Sequence, residues 1–165
     1  MASNKNVNNN FCAIIFIATI LISSCSTTHT NKLNGNVDIE DWMMKSGWDR
    51  TLYDSSQFDE NQVAKFREII NSQGIDFQIF AMASCMECAS TLPYFFKLLN
   101  ISNIDKSKIT LTGLDDYWES PDGKHRKFKI EELPVVFVNK KSKLISLLKK
   151  DFTDINKIIE KIDEK

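Results

Sequence analysis

The sequence has little of what most metal or nucleic-acid chemistry requires. It holds 4 cysteines and 2 histidines in 165 residues. A zinc site needs about four nitrogen or sulfur ligands, and the histidines stand apart. His29 lies in a polar stretch and His125 in the basic run Lys124-His125-Arg126-Lys127, which reads as a solvated surface. A metal carrier is the least favoured reading. A charge signal is missing too. Lys and Arg number 21 against 22 Asp and Glu, which gives no pull toward nucleic acid or a strongly acidic partner. No internal repeat is present. What remains is a hydrophobic fraction of 42%, suited to one globular domain with extra segments.

No apolar run is long enough to span a bilayer. The longest candidate, 11–22, covers only about a dozen residues. It follows a weakly basic start at Lys5 and ends in Leu21-Ile22-Ser23-Ser24-Cys25. An aliphatic residue, two small residues and a cysteine resemble the bacterial lipobox. That resemblance implies a lipoprotein signal peptide over 1–24 and a diacylglycerol on Cys25, the mature N-terminus. An ordinary secretory signal is the alternative. A buried core helix fits poorly, because polar sequence lies on both sides. Either signal places the domain outside the cytoplasm, where cysteine pairs oxidise. Residues 25–40 then form a lipidated tether, rich in Ser, Thr and Asn and reaching at most about 50 Å when extended. No acidic residue follows Cys25 before Asp38, so an acidic surface-export signal is missing. The expected location is the cell envelope, lipid-anchored and facing the periplasm. Cys12 leaves with the signal and Cys25 carries lipid, so Cys85 and Cys88 must do any thiol chemistry.

Within the expected domain, 41–165, residues 41–58 hold Trp42, Met43, Met44, Trp48, Tyr53 and Phe58. They read as an irregular segment that plugs its aromatics onto a core. A helix is predicted over 59–72, capped by Asp59 with Gln62 reaching back, and stopped by Gly74. Val63, Phe66, Ile69 and Ile70 form its buried face. Strands are predicted over 76–82, 108–114, 135–138 and 143–148, the last an edge guarded by lysines. A closing helix over 151–163, capped by Asp151 or Thr153, buries Phe152, Ile155, Ile158, Ile159 and Ile162.

The strand predicted over 76–82 opens onto Cys85-Met86-Glu87-Cys88, followed by a helix with Leu92, Phe95, Phe96 and Leu99 on one face. This spacing puts both sulfurs in the first helical turn. Free amides and the positive end of the helix dipole stabilise a thiolate there. The Cys-x-x-Cys pair, Pro93 five residues on and the segment 128–138 around Pro134 resemble the thioredoxin superfamily. The resemblance implies an α/β thioredoxin-like fold, a mixed central sheet flanked by helices. It implies a thiol–disulfide oxidoreductase acting on protein disulfides. Cys85 would be the nucleophile, Cys88 the resolving thiol and disulfide partner, and Pro134 a cis-proline beside the pair. Glu87 is either a proton shuttle or a solvated helix residue. No cofactor or metal is implied, because the sulfurs are themselves the redox centre. The implied partners are proteins with thiols or disulfides, the membrane through the lipid, and a membrane electron donor or acceptor. The alternative is a non-catalytic thioredoxin-fold lipoprotein that binds a partner and carries a structural disulfide. The chain departs from that family at three places. Ser84 stands where a tryptophan is usual, the strand around Ile79 lacks a buried acid, and the glycines near the last hairpin are missing.

The lipobox-like run carries one expectation that can be checked directly. Cys25→Ala should shift the protein from the membrane fraction to a soluble or uncleaved pool. Detergent-phase partitioning that the substitution leaves unchanged would contradict lipidation.

Overall fold

The computed structural model describes residues 33–163. The signal segment, Cys12, Cys25, His29 and the tether up to residue 32 lie outside them. The chain forms β1 (Gly35–Val37), α1 (Ile39–Lys45), α2 (Thr51–Ser55), α3 (Glu60–Gln73), β2 (Ile75–Ala81), α4 (Met86–Ile101), β3 (Ile109–Gly113), β4 (Val135–Lys140), β5 (Lys143–Leu148) and α5 (Ile155–Asp163). The strands make one sheet in the order β1-β3-β2-β4-β5. β2 runs parallel to β3, with Ile79 opposite Leu111, and antiparallel to β4, with Ile79 opposite Val136. β4 and β5 form the antiparallel hairpin expected of so short a turn. This is the mixed, thioredoxin-like α/β sheet that the sequence implies. Among the described residues, no helix is long and apolar enough to cross a membrane.

Strand alternation sorts the core onto two faces. Phe77 stacks with Phe66 of α3 at 6.3 Å and meets Phe95 of α4 edge-on at 5.5 Å. Phe95 in turn touches Phe152, just before α5, at 6.0 Å. The helices therefore share one face of the sheet. Gln62 and Gln73 of α3 donate to Asn156 and Asp163 of α5, which sets those helices side by side. The opposite face is covered by the connection 114–134, which contains only a single 3-10 turn, Lys124–Lys127. Phe128 packs there between Phe80 at 4.9 Å and Phe137 at 4.8 Å. Further along this face the contacts are polar. Gln78 donates to Thr112, and Asn139 donates to Asp76. The connection carries no α-helix on this face. The polar sequence between β3 and β4 has no apolar stripe with which to form one.

Three boundaries move. The domain begins inside the stretch expected to be tether: Leu33 is buried, and Gly35–Val37 pairs with β3. A three-residue edge strand shows almost no periodicity, so its composition reads as linker. Residues 41–58 are not irregular but carry α1 and α2. Asp38 caps α1 by accepting the Glu40 amide at 2.8 Å. The expected plug is real: Trp42 and Trp48 are buried in T-shaped contact at 5.4 Å. Met44, by contrast, faces solvent. The last helix starts at Ile155, because Asp154 accepts the amides of Asn156 and Lys157. Asp151 pairs with Lys161 instead. In α3, Asp59 caps Asn61 and Gln62 as expected, but Gln62 does not reach back.

Gly113 marks the tightest approach in this frame. A Cβ there would overlap the Leu33 carbonyl oxygen and lie 2.8 Å from the Trp42 ring. Gly113→Ala should therefore destabilise the domain by about 1–3 kcal/mol, as overpacking does. Denaturant unfolding with an unchanged midpoint would contradict this packing.

Candidate functional site

The loop 82–84 joins the end of β2 to α4. Cys85 is the N-cap residue of α4, with extended backbone at φ −80° and ψ 111°. Its amide donates to the Met82 carbonyl at 3.1 Å. The Cys88 amide donates to Cys85 Sγ at 3.1 Å. A sulfur thus satisfies one of the first-turn N–H groups that a helix leaves free. Cys85 and Cys88 are joined as a disulfide, with Cα atoms 5.2 Å apart. The two sulfurs are not equivalent. Cys85 is half-buried, while Cys88 is fully buried in the main core with Leu92.

The other residues named from sequence fall around the pair. The Leu133–Pro134 peptide bond is cis, and the Leu133 carbonyl oxygen lies 3.9 Å from Cys85 Sγ. Pro134 is buried at the entrance to β4. Glu87 is exposed. Its backbone carbonyl accepts Ser90 and Thr91 hydroxyls, and its carboxylate enters no hydrogen bond or ion pair among the described residues. α4 continues past the buried Pro93 without a break in the helix. Ile79, in the strand before the motif, is fully buried.

Two contacts beside the pair escape a sequence reading. Trp48 Nε1 donates to the Ala83 carbonyl at 2.8 Å, bracing the loop from the N-terminal plug. Ser84 Oγ donates to Asp116 Oδ1 at 2.9 Å, tying the motif to the loop after β3. That loop is tightly closed. Asp115 Oδ1 accepts the amides of Tyr117 and Glu119, each at 2.9 Å. The Asp115 amide donates to the Glu119 carbonyl at 3.0 Å. Trp118 sits at φ 63°, in the left-handed region where bulky residues are rare. The signal in the sequence was Tyr117-Trp118 within a polar turn, an unusual place for two large aromatics.

Two cavities lie elsewhere. One of about 350 Å³ is lined by Tyr53, Phe96, Leu99 and Ile104 at the far end of α4. Another of about 530 Å³ lies over β4 and β5, with Phe128, Phe137 and Leu147. Neither includes Cys85 or Cys88, so the disulfide stands outside both.

His125 is not merely a solvated residue of the basic run. It is half-buried, and its Nδ1 accepts the Ser120 amide at 3.0 Å. Asp122 completes this staple of the loop. The Lys124 amide, the Lys124 side chain and the Ser120 hydroxyl bring its carboxyl down from 3.8 to about 2. A depressed carboxyl stabilises the fold above its unfolded value and loses that contribution as pH falls through the folded one. The Lys124 amide resonance should therefore shift as pH falls from 3.8 through about 2. It should show no such inflection in Asp122→Asn, and an identical titration in both proteins would contradict the staple.

No protein-family model matches the chain, and neither does any curated protein. Among solved structures it is similar to oxidised mitochondrial thioredoxin 3 from Saccharomyces cerevisiae, at 17% identity and a TM-score of 0.39, over 62% of this chain and 90% of that one. It is also similar to the Malassezia sympodialis thioredoxin Mala s 13, at 17% identity and a TM-score of 0.38, over 60% of this chain and 81% of that one. The chain's own topology, with a Cys-x-x-Cys disulfide opening α4 from the central strand, is a thioredoxin-like fold.

Proposed function

We propose that the chain is a membrane-tethered thiol–disulfide oxidoreductase of the cell envelope, acting on protein disulfides. The observation that carries this reading is the asymmetry of the pair. Cys85 is only partly buried at a helix N-terminus, and Cys88 is sealed in the core. A purely structural link has no need of an accessible first sulfur, and a ring this small adds little through loop entropy.

In the reduced protein, the Cys85 thiolate accepts the Cys88 amide and the helix dipole. It attacks one sulfur of a substrate disulfide. A Cys85–substrate bond forms, the substrate S–S bond breaks, and a substrate thiolate departs. Cys88 then loses its proton and attacks Cys85. The intramolecular disulfide closes, and the second substrate thiolate leaves. Two electrons have passed from the dithiol to the substrate, and protons from solvent neutralise the products. Run backward, the same steps oxidise a substrate dithiol. A membrane electron donor resets the pair in the first direction, and an acceptor does so in the second. Glu87, exposed on the first turn, opposes thiolate formation through its charge and is a candidate to carry the Cys88 proton. No cofactor takes part. Pro134 shapes the wall beside Cys85. The lipid on Cys25 and the removal of 1–24 complete the reading by holding the domain at the membrane, facing the periplasm.

The division of labour gives the test. Cys88→Ser leaves attack intact and blocks resolution, so in the envelope it should accumulate mixed disulfides, visible as ladders on non-reducing gels. Cys85→Ser should give few or none. Equal ladders would mean that the two sulfurs are equally exposed and that this assignment of roles is wrong. A lack of ladders from both variants would favour an inert, structural disulfide.

A further inference from the structure

Resting on the exchange reading above, we infer that the loop 115–119 selects the substrate. Tyr117 and Trp118, with Met86, receive a large apolar side chain that lies within a few residues of the reacting cysteine in an extended polypeptide.

The first ground is exposure. Tyr117 is 88% exposed, Met86 86% and Trp118 37%. One such residue on a surface is ordinary. Here three of the five large hydrophobics exposed among the described residues are Met86, next to Cys85, and the neighbours Tyr117 and Trp118. Tyrosine and tryptophan are also the side chains that most often dominate protein contacts, because a rigid ring offers much area at little entropic cost.

The second ground is position. Ser84 directly precedes Cys85, Asp116 directly precedes Tyr117, and a 2.9 Å hydrogen bond joins Ser84 to Asp116. The Leu114 amide donates to the Ala81 carbonyl at 2.8 Å, so the two segments leave the sheet together. An extended peptide advances about 3.3 Å per residue. A substrate whose sulfur reaches Cys85 therefore carries residues about two to four positions away past this loop.

The third ground is rigidity. Asp115 closes the loop with its carboxylate and backbone, and Trp118 is held at φ 63°. Such a conformation persists only where its surroundings impose it. The rings are presented in advance, which lowers the ordering cost of binding. The charges nearby are already committed in part. Asp116 accepts from Ser84, and Glu119 faces Arg126 at 3.7 Å. Apolar contact is thus the selective element that the loop offers. With the disulfide outside both cavities, the fit is to a chain lying across the surface rather than to an enclosed small molecule.

The test uses full-length protein reduced with dithiothreitol and then freed of it. Three disulfides are offered: a cystine peptide with phenylalanine three residues from its cysteine, the same peptide with serine there, and 2-hydroxyethyl disulfide. The wild type should reduce the phenylalanine peptide about tenfold faster than the serine peptide. In Tyr117→Ser/Trp118→Ser that ratio should fall to about one, while the variant still reduces 2-hydroxyethyl disulfide, showing that the redox pair is folded. Equal rates for the two peptides in the wild type, or a ratio kept by the variant, overturn the selection by this loop and leave the exchange reading standing. A wild type that reduces none of the three overturns the exchange reading and this inference with it.

Discussion

The arrangement depends on the burial of β2. Its Ile75, Phe77, Ile79, Phe80 and Ala81 are all buried, and its backbone is paired on both edges, to β3 and to β4. A strand paired on both edges cannot slide without turning its apolar face outward. The point at which the chain leaves the sheet is therefore fixed. From there a short loop reaches Cys85, and Leu92, Phe95, Phe96 and Leu99 anchor α4 in the same core. The sulfur pair stands between two elements that cannot shift independently. That geometry makes the two sulfurs unequal: the helix start supplies an amide to Cys85, and the core seals Cys88.

The two faces of the sheet divide the tasks. One carries the helices and most of the apolar mass, linked through Phe66, Phe77, Phe95 and Phe152. The other is closed by the long connection 114–134, with Phe128 as its wedge. Polar staples hold that connection together: Asp115 at one turn, Asp122 and His125 at the next. Ser84 uses its hydroxyl to hold this loop. Tyr117 and Trp118 of the same loop are exposed.

Much of this could be read before any coordinates. Periodicity located α3 and the inner strands to within a residue or two, because each buries a regular stripe. The Cys-x-x-Cys pair was legible because its spacing is local, with cap and third helical residue in one turn. Where the signal was weak, the reading failed. β1 is too short to show alternation. α1 rests on the Asp38 cap and the buried Trp42 rather than on an amphipathic pattern, and the five-residue α2 buries no residue at all. Asp154 displaced two plausible caps for the last helix, a choice that only the path of the chain settles.

By itself, the amino-acid order determined which periodic segments become helix or strand, which of their stripes go inward, and that two cysteines stand together at a helix start. Those are properties of neighbours within a turn or a pleat. The helical spacing already placed Cys88 deeper than Cys85; the tertiary structure alone decided which carbonyl faces Cys85 and which loops frame the pair. Trp48 reaches Ala83 across 35 positions and Ser84 reaches Asp116 across 32. A single hydrogen bond between such distant residues leaves no period in the sequence, because it depends on where the whole core brings two loops to rest.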